Sequence, residues 1–230
     1  MTDPHDTSLD ARVYDTWFDH GWGLYAFEVE LAALRDALGE LGGLRVADVG
    51  CGTGRFTANL EDAGGQLVAI DRDRKMLELA RQRVGGTVLH GDARALPLAD
   101  DAVDVAVAMT LLEFADAAEG IVSELVRVTR PGGRVALGAL NPRSPWGLAR
   151  RRELRRPPWT HACLRTPAEL QRLLTAHGPV RTHAALYAPG AMPGLRRVGP
   201  LLERLGRPFP AFGAFQIALL DPVPETSLRR

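Results

Sequence analysis

Residues 46–55 read Val46-Ala47-Asp48-Val49-Gly50-Cys51-Gly52-Thr53-Gly54-Arg55. A short apolar run, Arg45–Val49, carries one acid near its end and passes into three glycines at alternate positions; a helical stretch, Phe56–Ala63, follows. Glycine lets the backbone take positive φ and lets a ligand approach main-chain atoms with no Cβ in the way. Such a loop in isolation is no more than a tight strand-to-helix turn. Its meaning depends on what the neighbouring strands place beside it.

Further along, Gln66–Ile70 is a second apolar run closed by Asp71. Thr87–Leu89 is a third, followed by His90-Gly91-Asp92-Ala93. Val103–Met109 is a fourth, and Arg134–Ala139 a fifth after the turn Pro131-Gly132-Gly133. Helical stretches lie between them at Arg74–Val84 and Ala118–Thr129, the latter with Ile121, Val122, Leu125, Val126 and Val128 near a 3.6-residue period. Strands alternating with helices predict a parallel sheet covered on both faces, an α/β Rossmann-like, doubly wound arrangement. Runs that are apolar without alternation, such as Val103–Val107, fit that double burial.

The flanks differ in texture. Ala11–Gly39 reads as helix and carries an aromatic group of Tyr14, Trp17, Phe18, Trp22, Tyr25 and Phe27. Asn141–Pro158 is rich in Pro and Arg. Pro167–His177 resumes a helix, with Thr166 as its cap and proline next. Arg181–Leu186 reads as a sixth strand and Phe212–Leu220 as the last. Ala188–Pro210, punctuated by Gly and Pro, is expected to be a long connection. The expected organisation is one domain over 1–230: a helical cap at 1–43, a ligand-binding core at 44–140, and a substrate-side insertion with the end of the sheet at 141–230.

The acids sharpen the glycine loop. Asp71 falls 21 residues after Gly50, a spacing at which a carboxylate accepts from both hydroxyls of a ribose at the edge of an open sheet. Asp92 follows the third strand and is placed to receive an adenine amino group. Together they describe a nucleoside crevice outside the carboxyl ends of the strands. A dinucleotide fingerprint GxGxxG fails in both registers, because its third glycine would be Arg55 or Thr57. GxGxG preceded by Asp48 suits a ligand without a pyrophosphate. Such a ligand presents a carboxylate and an amine, and Asp48 can balance the amine.

Four segments, VADVGCGTG, VAIDRDRKML, HGDARALPLADDAVDVAVAMTLLEF and LVRVTRPGGRVAL, occur in this order between Val46 and Leu140. They resemble the class I S-adenosylmethionine-dependent methyltransferases, in particular the type 11 or UbiE-like group. The resemblance implies a seven-stranded sheet of order 3-2-1-4-5-7-6 with its last strand, Phe212–Leu220, antiparallel, and S-adenosylmethionine as cofactor. It implies that Gly50, Cys51 and Gly52 line the methionine part and that Asp71 holds the ribose. Arg72 and Met76 would flank the adenine, and Asp92 and Ala93 would meet its edge. Thr110 would touch the cofactor from the substrate side, and Tyr14 would cap its carboxylate.

The expected reaction is in-line displacement at the sulfonium methyl, which needs alignment and exclusion of water and no obligatory nucleophilic side chain. A general base is required only if the acceptor must lose a proton. Glu113, His20, His90 and His161 are candidates with ordinary structural explanations, so no catalytic residue is assigned. Trp17, Phe18, Trp22, Trp146 and His161 are expected to border the acceptor pocket, or else the aromatics staple the N-terminal helix to the sheet. A small-molecule acceptor is expected. The six arginines of Arg143–Arg156, set against Glu153, leave a tRNA or protein acceptor as the alternative, beside a non-catalytic binding subunit.

Composition bounds the rest. Twenty-eight basic residues, all arginine but Lys75, balance 28 acidic ones, which argues against wrapping duplex nucleic acid. A 46% hydrophobic content supports a sizeable core. Cys51 and Cys163 are too few for a disulfide framework and lack metal-ligand spacing. Met1–Asp10 is polar and acidic, unlike a signal peptide, and Val103–Leu112, the longest apolar run, is too short to span a bilayer. A cytoplasmic protein that does not bind membranes is expected.

Overall fold

The computed structural model describes residues 11–150 and 162–224. Seven strands form one sheet: β1 Arg45–Val49, β2 Gln66–Asp71, β3 Thr87–His90, β4 Val103–Met109, β5 Thr129–Leu140, β6 Val180–Ala185 and β7 Phe215–Leu220. Their order is β3-β2-β1-β4-β5-β7-β6, as the family resemblance implies. β1 pairs in parallel with β2 and β4, placing Val49 beside Ile70 and Asp48 beside Val107. β7 runs antiparallel to both β5 and β6.

The strands are apolar on both sides because helices cover both faces. Val46, Val105, Val107, Met109, Phe215, Ile217 and Leu219 point to one face, against Leu34 and Leu38 of the helix α2 (Gly21–Leu38) and Leu60 of α3 (Arg55–Asp62). Ala47, Val49, Ala106, Ala108, Val135 and Leu137 point to the other, against Ile121, Leu125 and Val128 of α5 (Ala118–Val128) and Leu170 and Leu174 of α7 (Pro167–Thr175). Each fully buried leucine here contributes roughly 1.5–3 kcal/mol. α4 (Arg74–Arg83) covers the β2–β3 side through Leu77 and Ala80. Thr166 caps α7 in a reciprocal box with Glu169, whose carboxylate accepts from the Thr166 amide at 2.8 Å.

Three sequence expectations change. The single helix expected over Ala11–Gly39 is two, α1 (Ala11–Trp17) and α2, separated at Phe18–His20. His20 is extended (φ −140°, ψ 154°), and the chain re-enters helix at Gly21. The long connection expected over Ala188–Pro210 contains a helix, α8 (Leu195–Gly206), with Pro200 inside it. Its glycines and proline read as breakers, but Gly199 serves close packing: a Cβ there would lie 2.5 Å from the Tyr25 ring. Glu203 of α8 then accepts from the Tyr25 hydroxyl (3.0 Å) and from the amides of Leu186 and Tyr187 (2.9 Å each). Finally, Pro131-Gly132-Gly133 is an irregularity within β5. Val103 pairs with Thr129 and Val105 with Arg134, so two steps on β4 span five on β5. A short helix, α6 (Pro145–Ala149), opens the Pro- and Arg-rich segment. Among the described residues no helix is long and apolar enough to cross a membrane.

Candidate cofactor and acceptor site

The glycine loop leaves β1 at the carboxyl edge of the sheet. The amides of Gly50 and Cys51 both donate to the Ile70 carbonyl, at 2.7 and 3.1 Å, and so bind the loop to β2. Gly50 (φ 74°) is packed: a Cβ there would meet the Leu111 side chain at 2.7 Å. Gly52 (φ 54°) is the open position, with nothing within 4 Å of where a Cβ would stand. The loop thus presents bare backbone at Gly52 and is wedged shut at Gly50. Cys51 contributes backbone only, since its buried side chain joins Ala69, Leu77 and Ala80 beneath the loop, and burial pushes its thiol far up.

The acids divide into three environments. Asp71 accepts from the Gly52 amide (2.8 Å) and the Asp73 amide (2.8 Å), and burial raises its carboxyl against those bonds. Asp48, 1% exposed, accepts from the Thr57 hydroxyl at 2.6 Å and thereby ties β1 to α3. Burial lifts it to about 6, against the Thr57 bond and with a contribution from the Asp71 charge. Asp92 is already paired within the chain. Both its oxygens are held by the Arg94 guanidinium, at 2.5–3.1 Å, and these bonds bring its carboxyl down to about 2. Local sequence proximity wins here, because Arg94 is two residues away. Ala93 is half-buried against the α5 side of the core. Met76 is half-buried at the start of α4, whose cap Asp73 accepts from the amides of Lys75 and Met76. Arg72 is exposed, and its carbonyl bonds His90 Nε2 at 3.0 Å. Thr110, just past β4, stands at φ 51°, a conformation that costs a β-branched residue on the order of 1–3 kcal/mol. Its amide donates to the Gly138 carbonyl at 2.8 Å.

α1 is latched over this edge by a residue the sequence did not single out. Asp15 accepts from the Thr53 hydroxyl (2.6 Å), from Arg55 Nε (2.8 Å) and from Arg83 Nη2 (2.8 Å), joining α1 to the glycine loop, α3 and α4. Burial alone would raise the Asp15 carboxyl, but the Arg55, Arg83 and Thr53 bonds hold it well below the usual carboxylate range. The latch delivers Tyr14, whose hydroxyl is pushed up by burial and then by the charges of Glu30, Asp71, Glu113 and Asp15. Tyr14 is therefore within electrostatic reach of Asp71 and of two further carboxylates.

Those two are Glu113 and Glu30. Glu113, in the 3-10 turn Leu112–Phe114, is 1% exposed, and its Oε1 accepts from the Leu140 amide at 2.8 Å. Burial lifts it to about 7. Glu30, on α2, is lifted to about 8 by burial and then by Glu113. Glu30 was legible only as one of several acids on a helix.

The aromatic residues mostly staple. Phe18 sits edge-to-face with Tyr14 (5.2 Å) and Phe27 (5.9 Å), and Phe27 with Phe56 (5.1 Å). Trp17 is 51% exposed and packs its ring on Phe18. Trp146 is buried, with the Arg150 guanidinium 5.2 Å from its ring and 5.8 Å from that of Trp22. His20 is exposed before α2. His161 and the arginines 151–156 lie outside the described residues.

Residues 47–137 match the family model for a methyltransferase domain, and the match covers the glycine loop, Asp71, Asp92 and Thr110 together. Over these residues the chain is similar to the class I S-adenosylmethionine-dependent methyltransferases, type 11. The chain is 40% identical over 99 residues to a malonyl-[acyl-carrier protein] O-methyltransferase of Pectobacterium atrosepticum, covering 43% of this chain and 39% of that one. It is 38% identical over 150 residues to a demethylmenaquinone methyltransferase of Beutenbergia cavernae, covering 63% and 61%. These matches span about two to three fifths of the relatives' lengths. A crystal structure of a methyltransferase from Thermotoga maritima, described as a possible histamine N-methyltransferase, superposes with a TM-score of 0.74 at 23% identity, covering 94% of this chain and 96% of that one. S-adenosylmethionine is the cofactor of the family.

Proposed function

We propose that this methyltransferase transfers the methyl group of S-adenosylmethionine to a small-molecule acceptor by in-line displacement. The observation that carries this reading is the pairing of an open glycine, Gly52, with a carboxylate, Asp71, that holds its amide at the strand edge. A Cβ at residue 52 would fill the space a ligand needs, and a carboxylate at the end of β2 matches a ribose diol. When bound, the cofactor supplies a methyl on a sulfonium, an excellent leaving group.

The chain's own residues orient and enclose. Gly50, Gly52 and the Cys51 backbone face the methionine part, Asp48 supports them from below, and Tyr14 covers the carboxylate end. Met76 and Arg72 flank the purine, with Ala93 along its edge. Asp92 reaches the purine amino group only when Arg94 swings away, which an exposed arginine does at low cost. Thr110 closes the acceptor side of the crevice. The names of the relatives support a small-molecule acceptor over a nucleic acid or protein one. The two free thiols, one exposed at Cys163, support a reducing compartment such as the cytoplasm.

Calorimetry with S-adenosylhomocysteine tests the assignment. Wild type is expected to bind it, and Asp71→Ala to weaken binding by about tenfold or more, the loss of charge-assisted hydrogen bonds. Heat with a nicotinamide dinucleotide and none with S-adenosylhomocysteine would refute it.

A further inference from the structure

Glu113 Oε2 is enclosed in protein and meets no hydrogen-bond partner among the described residues, although Oε1 of the same group is held by Leu140. An ionised oxygen buried without a donor costs several kcal/mol unless a ligand supplies one. Glu30, on α2, is buried as well (8% exposed), and the Glu113 charge adds to burial in raising its carboxyl. The location is informative. Glu113 follows Thr110 by three residues and is bonded to the last residue of β5, so it lies on the β4–β5 side of the glycine loop. Asp71 lies on the β2 side. The charges of both raise the Tyr14 hydroxyl.

We propose that Glu30 and Glu113 form the polar floor of the methyl-acceptor pocket and select an amine, received as its ammonium and relieved of one proton by the pair before attack. The inference rests on the methyl-transfer reading above. Two buried like charges cannot both stay ionised, so near neutrality the pair holds about one proton and keeps about one negative charge. An ammonium pairs with that charge, whereas a neutral hydroxyl leaves it buried and uncompensated. The proton balance agrees. A base lifted to about 7 lies roughly three units below an alkylammonium near 10, but far further below an alcohol. The other groups acting on the pair are Tyr14 from α1, uncharged at neutral pH, the Leu140 amide from β5, and Arg165 ahead of α7, whose charge lowers Glu113. In the step itself an N–H proton passes to a carboxylate oxygen. The freed nitrogen pair forms the N–C bond as the C–S bond breaks, and the electrons of that bond remain on sulfur. The carboxylic proton then returns to water.

The test uses n-butylammonium chloride and 1-butanol as probes on the full chain saturated with S-adenosylhomocysteine, in wild type, Glu113→Gln and Glu30→Gln. Glutamine keeps the acceptor for the Leu140 amide, so Glu113→Gln is expected to fold, and Glu30→Gln is a second, independent variant. Butylammonium is expected to bind wild type at least about tenfold more tightly than butanol, and either glutamine to erase that preference, as for a lost charge-assisted bond. S-adenosylhomocysteine affinity should stay within about threefold throughout, since it sits on the other side of the loop. Equal binding of the two probes, none included, overturns the proposal, as does a preference that survives in both variants. A parallel loss of S-adenosylhomocysteine affinity would give the pair to the cofactor and also overturn it. Failure of wild type to bind S-adenosylhomocysteine would sink the methyl-transfer reading itself, and it is seen before any amine is added.

Discussion

Replacing Asp15 by alanine should undock α1 without unfolding the sheet. The carboxylate receives a hydroxyl bond from Thr53 and guanidinium bonds from Arg55 and Arg83, and its side chain is 15% exposed against 17% and 29% for the two arginines. Charge-assisted bonds in such a setting are each worth about 1.5–3 kcal/mol, and orphaning partly buried charges adds to the loss. Two compensations reduce the total. Arg55 keeps the Asp15 carbonyl (2.8 Å) and Asp19 (2.7 Å), and Arg83 keeps the Thr53 carbonyl (2.5 Å). A net cost of about 3 kcal/mol follows, or roughly a hundredfold in an opening equilibrium. Seven residues cannot hold a helix alone, so the loss falls on α1. Hydrogen exchange should show α1 amides losing up to about a hundredfold protection while β1 and β4 keep theirs, and S-adenosylhomocysteine affinity should drop because Tyr14 leaves with α1. The folded carboxyl titrates below its ordinary 3.8, so its stabilisation is complete above the ordinary range and fades only as pH falls through it. The latch is therefore constant from about pH 5 to 8. Unchanged α1 protection, or an equal loss in the central strands, would refute the reasoning.

Gly50→Ala should lower stability by about 1–3 kcal/mol through overlap with Leu111, whereas Gly52→Ala should cost only about 1 kcal/mol for its positive φ yet weaken S-adenosylhomocysteine more; melting curves paired with calorimetry separate the two. Glu30 titrates at about 8 in the fold against an ordinary 4.5, so its contribution to stability is full below the ordinary value and lost as pH rises through 8. Glu30→Gln should accordingly match wild type in urea unfolding at pH 5 and exceed it by on the order of 2 kcal/mol at pH 9. Glu203→Ala should cost about 2–3 kcal/mol by stranding two backbone amides and the Tyr25 hydroxyl, and Tyr25→Phe about 1 kcal/mol; thermal melts test both.

What the sequence disclosed was whatever depends on local pattern. β1 and β4 have the expected bounds, since an apolar run ending in glycine or a turn has few alternatives in a doubly wound sheet. α7 follows its cap for the same reason. The failures share a cause in tertiary contact. Gly199 and Pro200 look like breakers until Tyr25 is seen to need the space and Glu203 to hold the strand edge. Asp15 is one acid among many on a polar N-terminal stretch until Arg55 and Arg83, 40 and 68 residues away, converge on it. Asp92 shows the opposite case: its place after β3 was legible from spacing, but its ion pair with Arg94 two residues on was not.

The same distinction separates the two halves of the site. The cofactor half is made of backbone and strand-end acids, which motif spacing records because each lies a fixed step beyond a strand. The acceptor half is made of side chains from α1, α2 and the turn after β4, whose meeting no spacing encodes. Glu30 and Glu113 are 83 residues apart, and the role proposed for them depends on both being driven out of water, where burial raises each carboxyl and the Glu113 charge raises Glu30 further. A carboxylate that stayed solvated at either position would hold its full charge at neutral pH and could neither share a proton nor discriminate an ammonium from a hydroxyl. Chemical selectivity on the acceptor side is thus a property of burial, and the variants that test it are those that keep the shape and remove the charge.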